Sequence, residues 1–395
     1  MIQISSFNPI AQSMLNTAKS IFIGYEQMKL VSLSVIIQSI TKSVLSPLLI
    51  YFGYGTFGAT IGHTAAILVA GIGGIILVQL TYLKKRNGVV SSINFVEASK
   101  TLLSYGIPLF LSVLINGSIT QLYNFLLALN VSPSEVGNYQ AASNFPVLII
   151  FFTMPISTVL FPLFSKISLG DNGQLGAVYQ NAVKYSALIT VPVTSVLILL
   201  SDPIVQLIYG DAYPHTSGYL KLVCVPFLLI GLGYQINSNL LNGQGKTRPT
   251  FISSIIVFLV GLPLSLFFIP WMGVTGLMIS MIIATLAGIV YILFWISRNF
   301  DFSLDWMASA KIYLSSTITF VIISLILSLM KLEHSTQLLL GGAAYVVTYL
   351  VMIVLLKTLT INDVRDLKRI LASTGPLRPF FNLVIIVIEK TLGRG

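Results

Sequence analysis

Charge is what this sequence has least of. Only 9% of its 395 residues are charged, whereas 55% are hydrophobic. A soluble domain carries about a quarter charged residues, so this chain cannot cover a water-facing surface of its size. The scarcity is concentrated: no charged side chain occurs from Thr101 to Ser134, nor from Pro249 to Ser297. About 20 apolar residues cross a hydrocarbon core, so the second run holds two crossings. A single cysteine, Cys224, excludes an intrachain disulfide. The histidines, His63, His215 and His334, lack metal-ligand spacing, so neither metal nor cofactor is expected. Protease, hydrolase, P-loop and DxD patterns are missing too, and the acidic residues sit in short connections. Without a long loop carrying acid–base groups, the chain is not expected to be an enzyme. Met1 to Ser20 lacks the basic start, compact apolar stretch and cleavage site of a secretory signal.

What is present is a series of apolar runs bounded by Gly, Pro and charged clusters. Eleven spans are expected, near 4–24, 31–52, 56–83, 102–130, 137–165, 183–201, 218–242, 250–270, 273–297, 312–330 and 337–356, giving an all-α integral membrane protein. The net charge of +10 follows this topology and does not form a nucleic-acid patch. Threaded alternately, one side collects Lys29, Lys84, Lys85, Arg86, Lys100, Lys166, Lys184, Lys246, Arg248, Arg298, Lys311 and the tail from Lys357 onward. The other side receives Lys221 and Lys331, with Glu135, Asp202 and Asp211. The positive-inside rule makes the first side cytoplasmic, with the C-terminus inside and Met1 outside. The tail carries Ile361, Val364, Leu367 and Leu371 on one helical face and basic residues opposite, the pattern of an interfacial helix.

An internal repeat is legible. Gly24 to Lys29, an apolar span and Tyr51 to Gly58 have a counterpart in Asn242 to Lys246, an apolar span and Ile269 to Gly276, with Gly55/Gly58 aligned on Gly273/Gly276. Two homologous bundles follow. The expected organisation is a partial bundle of three spans over 1–86, a six-helix bundle over 87–300, two further spans over 301–357 and a cytoplasmic amphipathic tail over 358–395. On this alignment the first bundle lacks its opening three helices.

Four stretches then carry a family likeness: Ser134-Glu-Val-Gly-Asn-Tyr139-Gln-Ala-Ala; Leu160-Phe-Pro162-Leu-Phe-Ser165-Lys166; Ile208-Tyr-Gly210-Asp-Ala-Tyr213 with Tyr219-Leu-Lys221; and Leu241-Asn-Gly-Gln-Gly245-Lys246-Thr-Arg248-Pro249. In this order the chain resembles the polysaccharide-flippase (Wzx-like) branch of the multidrug/oligosaccharidyl-lipid/polysaccharide exporter superfamily. The resemblance implies flipping of a polyprenyl-linked saccharide by alternating access, with the lipid-linked saccharide, membrane lipid and glycan-biosynthesis enzymes as partners. Two alternatives stand beside it: cation-coupled multidrug efflux, and a non-transporting membrane assembly factor. Drug exporters of this superfamily generally rely on intramembrane carboxylates, and no acidic residue lies inside any span here.

Lys42 is the sharpest candidate for a binding role. It lies mid-span, and Ser34, Gln38 and Ser46 are expected on its helical face. A cation at that depth costs a few kcal/mol, so either a water-filled cavity or packing within the bundle must accommodate it. On the flippase reading a substrate diphosphate is its counter-ion. Uncharged amides suit a hydroxyl-rich sugar because each both donates and accepts. Asn116, Gln121 and Asn124 of the fourth span, Asn144 of the fifth, and Gln235 and Asn239 of the seventh are the candidates, with interhelical hydrogen bonding as the competing role. Ser238 and Asn242 share the last face.

Overall fold

The computed structural model describes residues 6–83, 94–168, 171–330 and 332–359. Within them every regular element is helical. The tail over 358–395, expected to be cytoplasmic and amphipathic, lies outside the described residues except for its first two, as do Lys84, Lys85, Arg86 and Lys331. The chain divides into two compact units, one up to Ser99 and the other from Lys100 onward.

The first unit holds α1 (Asn8–Gly24), α2 (Met28–Leu49) and α3 (Gly55–Val78), with π-helical turns at Ile50–Tyr54 and Gln79–Leu83. Helix α3 is the centre. Gly58, Gly62, Ala66, Ala70 and Gly74 recur every fourth residue and are all buried, the small-residue stripe that lets membrane helices approach closely. A Cβ on Gly62 would overlap Ser46 of α2, and one on Gly74 would lie 2.8 Å from the Ala18 Cβ of α1. Helix α1 answers with Ala11, Leu15, Ala18 and Phe22, all fully buried. Its opposite face leaves a polar groove at Ser13, Asn16, Thr17 and Ser20.

This packing divides the polar residues of α2. Ser34 is buried and donates to the Leu30 carbonyl, and Ser46 lies against Gly62. Both belong to the seam between α2 and α3, whereas Lys42 is exposed on α2 and Gln38 is half-buried. The serines follow α3 because its stripe has no side chain to fill the space.

The second unit runs α4 (Phe95–Asn130), α5 (Pro133–Ala142), α6 (Val147–Lys166), α7 (Asn172–Leu199), α8 (Ser201–Tyr209), α9 (Thr216–Leu228), α10 (Ile236–Gly243), α11 (Thr247–Asn299), α12 (Trp306–Leu329) and α13 (His334–Leu355). Side-chain caps start three of them: Ser132 accepts from Glu135 N–H, Asp171 from Gln174 N–H and Asp305 from Ala308 N–H. Helices α12 and α13 are part of this unit's core, for Ile323, Tyr345 and Tyr349 pack with Leu200, Leu220 and Cys224. Tyr179, Phe164, Leu240 and Ile312 form a second cluster.

Helix α11 has 53 residues, about 80 Å at 1.5 Å per residue, far beyond a hydrocarbon core of about 30 Å. It bends at Gly273, with φ 57° and ψ −132°. Gly55 has φ 51° and ψ −136° at the corresponding bend of the first unit. Few residues other than glycine adopt this region. The upstream turns match bond for bond. Tyr25, Glu26 and Gln27 donate to Ile21, Ile23 and Phe22, while Gln244, Gly245 and Lys246 donate to Leu240, Asn242 and Leu241. Glu26 (φ 57°) therefore falls on Gly245 (φ 72°), and Gln27 on Lys246. The two stretches share this turn and this glycine bend, but Lys246 corresponds to Gln27 and not to Lys29.

Among the described residues, seven helical runs are long and apolar enough to cross a membrane, or eight if the bent pair Thr216–Leu232 and Ile236–Gly243 counts as one span. Basic residues concentrate at one end of the second unit, where Asp171, Asp301 and Asp305 also lie. Contacts from Gln244 to Phe164 and Ile167, Asn172 to Asp301, and Lys311 to Lys357 gather Lys166, Lys246, Arg248, Arg298, Lys311 and Lys357 at one end. Glu135, His215, Asp202 and Lys221 pair at the other. There the Tyr219 hydroxyl, with His215, holds the Glu135 carboxyl below its ordinary range and ties α5 to α9.

Candidate functional site

The site is built around an interruption. After α9 the chain makes a 3-10 turn at Leu229–Leu232, reverses at Gly233 (φ 80°) and Gln235 (φ 67°), and resumes as α10 at an angle of 48°. A break at membrane depth must satisfy its freed backbone groups from within the protein. Here Gly233 N–H donates to Ile230 O and Tyr234 N–H to Leu229 O. Helix α12 contributes Tyr313, whose hydroxyl accepts from Gly231 N–H at 3.1 Å and donates to Leu228 O, and Ser309, whose hydroxyl donates to Gly231 O at 3.1 Å. Helix α7 contributes the buried Tyr179, whose hydroxyl donates to Asn237 Oδ1 at 2.6 Å. The Asn237 amide in turn donates to Leu232 O at 3.3 Å. Gln235, a non-glycine residue at positive φ, sits in a strained conformation of the kind that clusters at functional sites.

Beside this break lies a cavity of about 520 Å³, within the range of small-molecule sites. Helix α4 supplies Ser112 and Asn116; the break and α10 supply Gln235, Ser238 and Asn242; the two halves of α11 supply Thr250, Ser253, Ser254 and Thr285. None of its lining residues is charged. Asn116 Nδ2 donates to Ser112 O at 2.7 Å and to Ser254 Oγ at 3.2 Å. Thr250 Oγ1 donates to Asn242 Oδ1 at 3.1 Å, and Ser253 Oγ to Gly288 O at 3.1 Å. The amides are thereby oriented while the Asn116 Oδ1 makes no hydrogen bond among the described residues. Such a surface can exchange hydrogen bonds with hydroxyl groups and carries no fixed charge.

Of the candidates named from the sequence, Asn116 and Gln235 line this cavity, with Ser238 and Asn242. Gln121 and Asn144 are exposed, Asn124 and Asn239 half-buried, and none of the four reaches it. Lys42 and Gln38 belong to the first unit. The missed residues are hydroxyls: Thr250, Ser253 and Ser254 at i, i+3 and i+4 on an otherwise apolar stretch form a stripe that hydropathy smooths away.

The profile of the polysaccharide biosynthesis protein family matches residues 1–218. The lipopolysaccharide biosynthesis protein WzxC of Escherichia coli (strain K12) is 30% identical over 185 residues, 47% of this chain and 36% of that protein. The multidrug export protein MepA of Staphylococcus aureus (strain bovine RF122 / ET3-1) is 26% identical over 257 residues, 61% of this chain and 54% of that one. The chain therefore spans about half or less of the length of these curated relatives. Among solved structures, the lipid II flippase MurJ in an inward closed conformation superposes with a TM-score of 0.63 at 21% identity, covering 88% of this chain and 70% of that one. At that identity the likeness is one of fold. An all-α fold shared with a membrane transporter, together with a family profile matched over more than half its length, makes this chain a multi-pass membrane protein of the polysaccharide biosynthesis protein family.

Proposed function

We propose that the chain moves a polyprenyl-linked oligosaccharide or polysaccharide precursor across the membrane by exposing its cavity to the two sides in turn. The uncharged lining of amides and hydroxyls carries this reading, because it offers a sugar many hydrogen bonds. WzxC and MurJ, named for lipopolysaccharide biosynthesis and lipid II flipping, support it. No covalent step is assigned to any residue. Flipping of a fluorescent polyprenyl-diphosphate oligosaccharide, read by quencher or lectin accessibility in vesicles holding the purified chain, tests it. Asn116→Leu with Gln235→Met removes two amides worth about 1 kcal/mol each and should slow flipping roughly tenfold or more. The MepA match favours a second reading, cation-coupled drug efflux. Gradient-driven ethidium transport with no movement of the saccharide would establish that one and sink ours.

In the topology that goes with this function, the basic end of the second unit faces the cytoplasm, α11 crosses twice and the chain makes eleven crossings. The first three helices are one part of a repeated bundle, and α12 and α13 are an addition to the second. In a Cys224→Ala background, Asn172→Cys should react with an impermeant maleimide only after permeabilisation, and Asp211→Cys in intact cells. The reverse pattern would overturn the orientation.

A further inference from the structure

The uncharged cavity leaves a difficulty for a lipid-linked saccharide, whose sugar joins its lipid through phosphate: nothing in the cavity neutralises that phosphate. Close by is a second concavity of about 470 Å³ with the complementary chemistry. Its walls include Ser104 of α4, Lys246 in the turn before α11, Arg248 and Ile252 in the opening turns of α11, and Trp295 near that helix's end. Lys246 and Arg248 are both exposed, and neither forms an ion pair or hydrogen bond through its side chain with another described residue. No carboxylate lines the concavity.

Its placement is what connects it to the sugar. The two concavities share three walls: Ser104 lies about two turns before Ser112 on α4, Arg248 and Ile252 lie either side of Thr250, and Trp295 follows Ile292 by three residues. The second concavity lies toward the basic end of the unit. Resting on the reading of the amide cavity as a sugar site, we propose that Lys246 and Arg248 capture the phosphate or diphosphate group of the lipid-linked substrate at the cavity's mouth.

Several features fit an anion there. Arg presents a planar fork that matches phosphate oxygens in pairs, and Lys adds a mobile point charge. The first amides of α11 have no partners within the helix and carry the positive end of its dipole. The support is rigid: Lys246 N–H donates to Leu241 O at 2.7 Å, and Gln244 anchors the turn by donating to Phe164 O at 2.5 Å and Ile167 O at 3.2 Å. Trp295 and Ile252 distinguish a lipid-linked phosphate from a free one. They give an apolar wall on which the first isoprene units can lie, and an indole suits the boundary between headgroup and hydrocarbon.

Trp295 is also the reporter. Trp271 and Trp306 are 76% and 57% exposed, so both can be replaced by Phe with little effect on packing, leaving Trp295 as the sole tryptophan. In phosphatidylcholine nanodiscs, farnesyl diphosphate should change its emission saturably, and farnesol should not. Lys246→Gln with Arg248→Gln should raise the farnesyl diphosphate Kd about tenfold or more. Arg298→Gln, a basic residue of the same end held over Phe294 and outside this concavity, should leave it unchanged. Equal Kd values for the double variant and the parent, or an equal loss in Arg298→Gln, would overturn the site. Inorganic pyrophosphate binding as tightly as farnesyl diphosphate would overturn its assignment to a lipid-linked phosphate. The titration requires no transport, so the two ideas fail separately. Normal binding without flipping in vesicles sinks the transport reading, and undiminished binding in the double variant sinks this one.

Discussion

Replacing Gly233 with valine is expected to lower stability by about 3 kcal/mol or more and to end transport, because two independent penalties fall on one residue. The first is backbone strain. At φ 80° and ψ 16° the residue is left-handed, which costs an L-residue roughly 1–2 kcal/mol and a β-branched one more. The second is contact. A Cβ on Gly233 would overlap the Asn237 amide, which accepts from Tyr179 and donates to Leu232 O. Pushing Asn237 aside strands the fully buried Tyr179 hydroxyl, a loss of about 1–3 kcal/mol. The break would then lose the geometry that points Gln235 and Ser238 into the cavity. Thermal unfolding of the purified variant in detergent, beside flipping in vesicles, measures both consequences. Asn237→Ala keeps the left-handed glycine and should show only the smaller drop. If Gly233→Val melts and flips like the parent, the break is not the structural support of the cavity.

The membrane-spanning fold and the cavity were unequally legible in the sequence. Membrane insertion could be read directly, because a chain with no charge from Pro249 to Ser297 has no other way to hide that surface. The gathering of Lys166, Lys246, Arg248, Arg298 and Lys311 at one end of the second unit was legible for the same reason, since charged groups accumulate where spans end. Direction around a helix was not. An amide on an apolar helix announces that it needs a partner but not on which side the partner lies, so Asn116 and Asn124 looked alike and only Asn116 lines the cavity. That Ser34 and Ser46 pack toward another helix was not legible either, because the stripe they meet, Gly58 to Gly74, is on α3. The break between α9 and α10 was hidden by its apolar composition, Leu229-Ile-Gly-Leu-Gly-Tyr, which reads as a continuing span. What holds it open, Tyr313, Ser309 and Tyr179, is distant in sequence.

Lys42→Ala is expected to remove export of the surface glycan while leaving protein abundance near that of the parent. Lys42 lies well inside α2, between the exposed apolar residues Ile40 and Val44, with Ile36 and Leu48 also exposed on this helix. It has no ion pair or hydrogen bond among the described residues. Facing hydrocarbon, such a cation would cost about 2.5–3.5 kcal/mol on insertion scales, and nothing in its own unit offsets that. A negatively charged substrate group would, and the expected loss of export rests on that pairing. The two possible origins of an unpaired lysine predict opposite results. A lysine that only reaches for the interface is a burden on the fold, so Lys42→Ala would then raise the melting temperature and export normally. A lysine that carries phosphate is indifferent to the fold and indispensable to transport. Lys42→Arg keeps the charge but replaces a compact ammonium with a wider fork, and should retain part of the activity. Lectin staining of cells beside an immunoblot separates these outcomes, and normal staining with Lys42→Ala would confine the phosphate to Lys246 and Arg248.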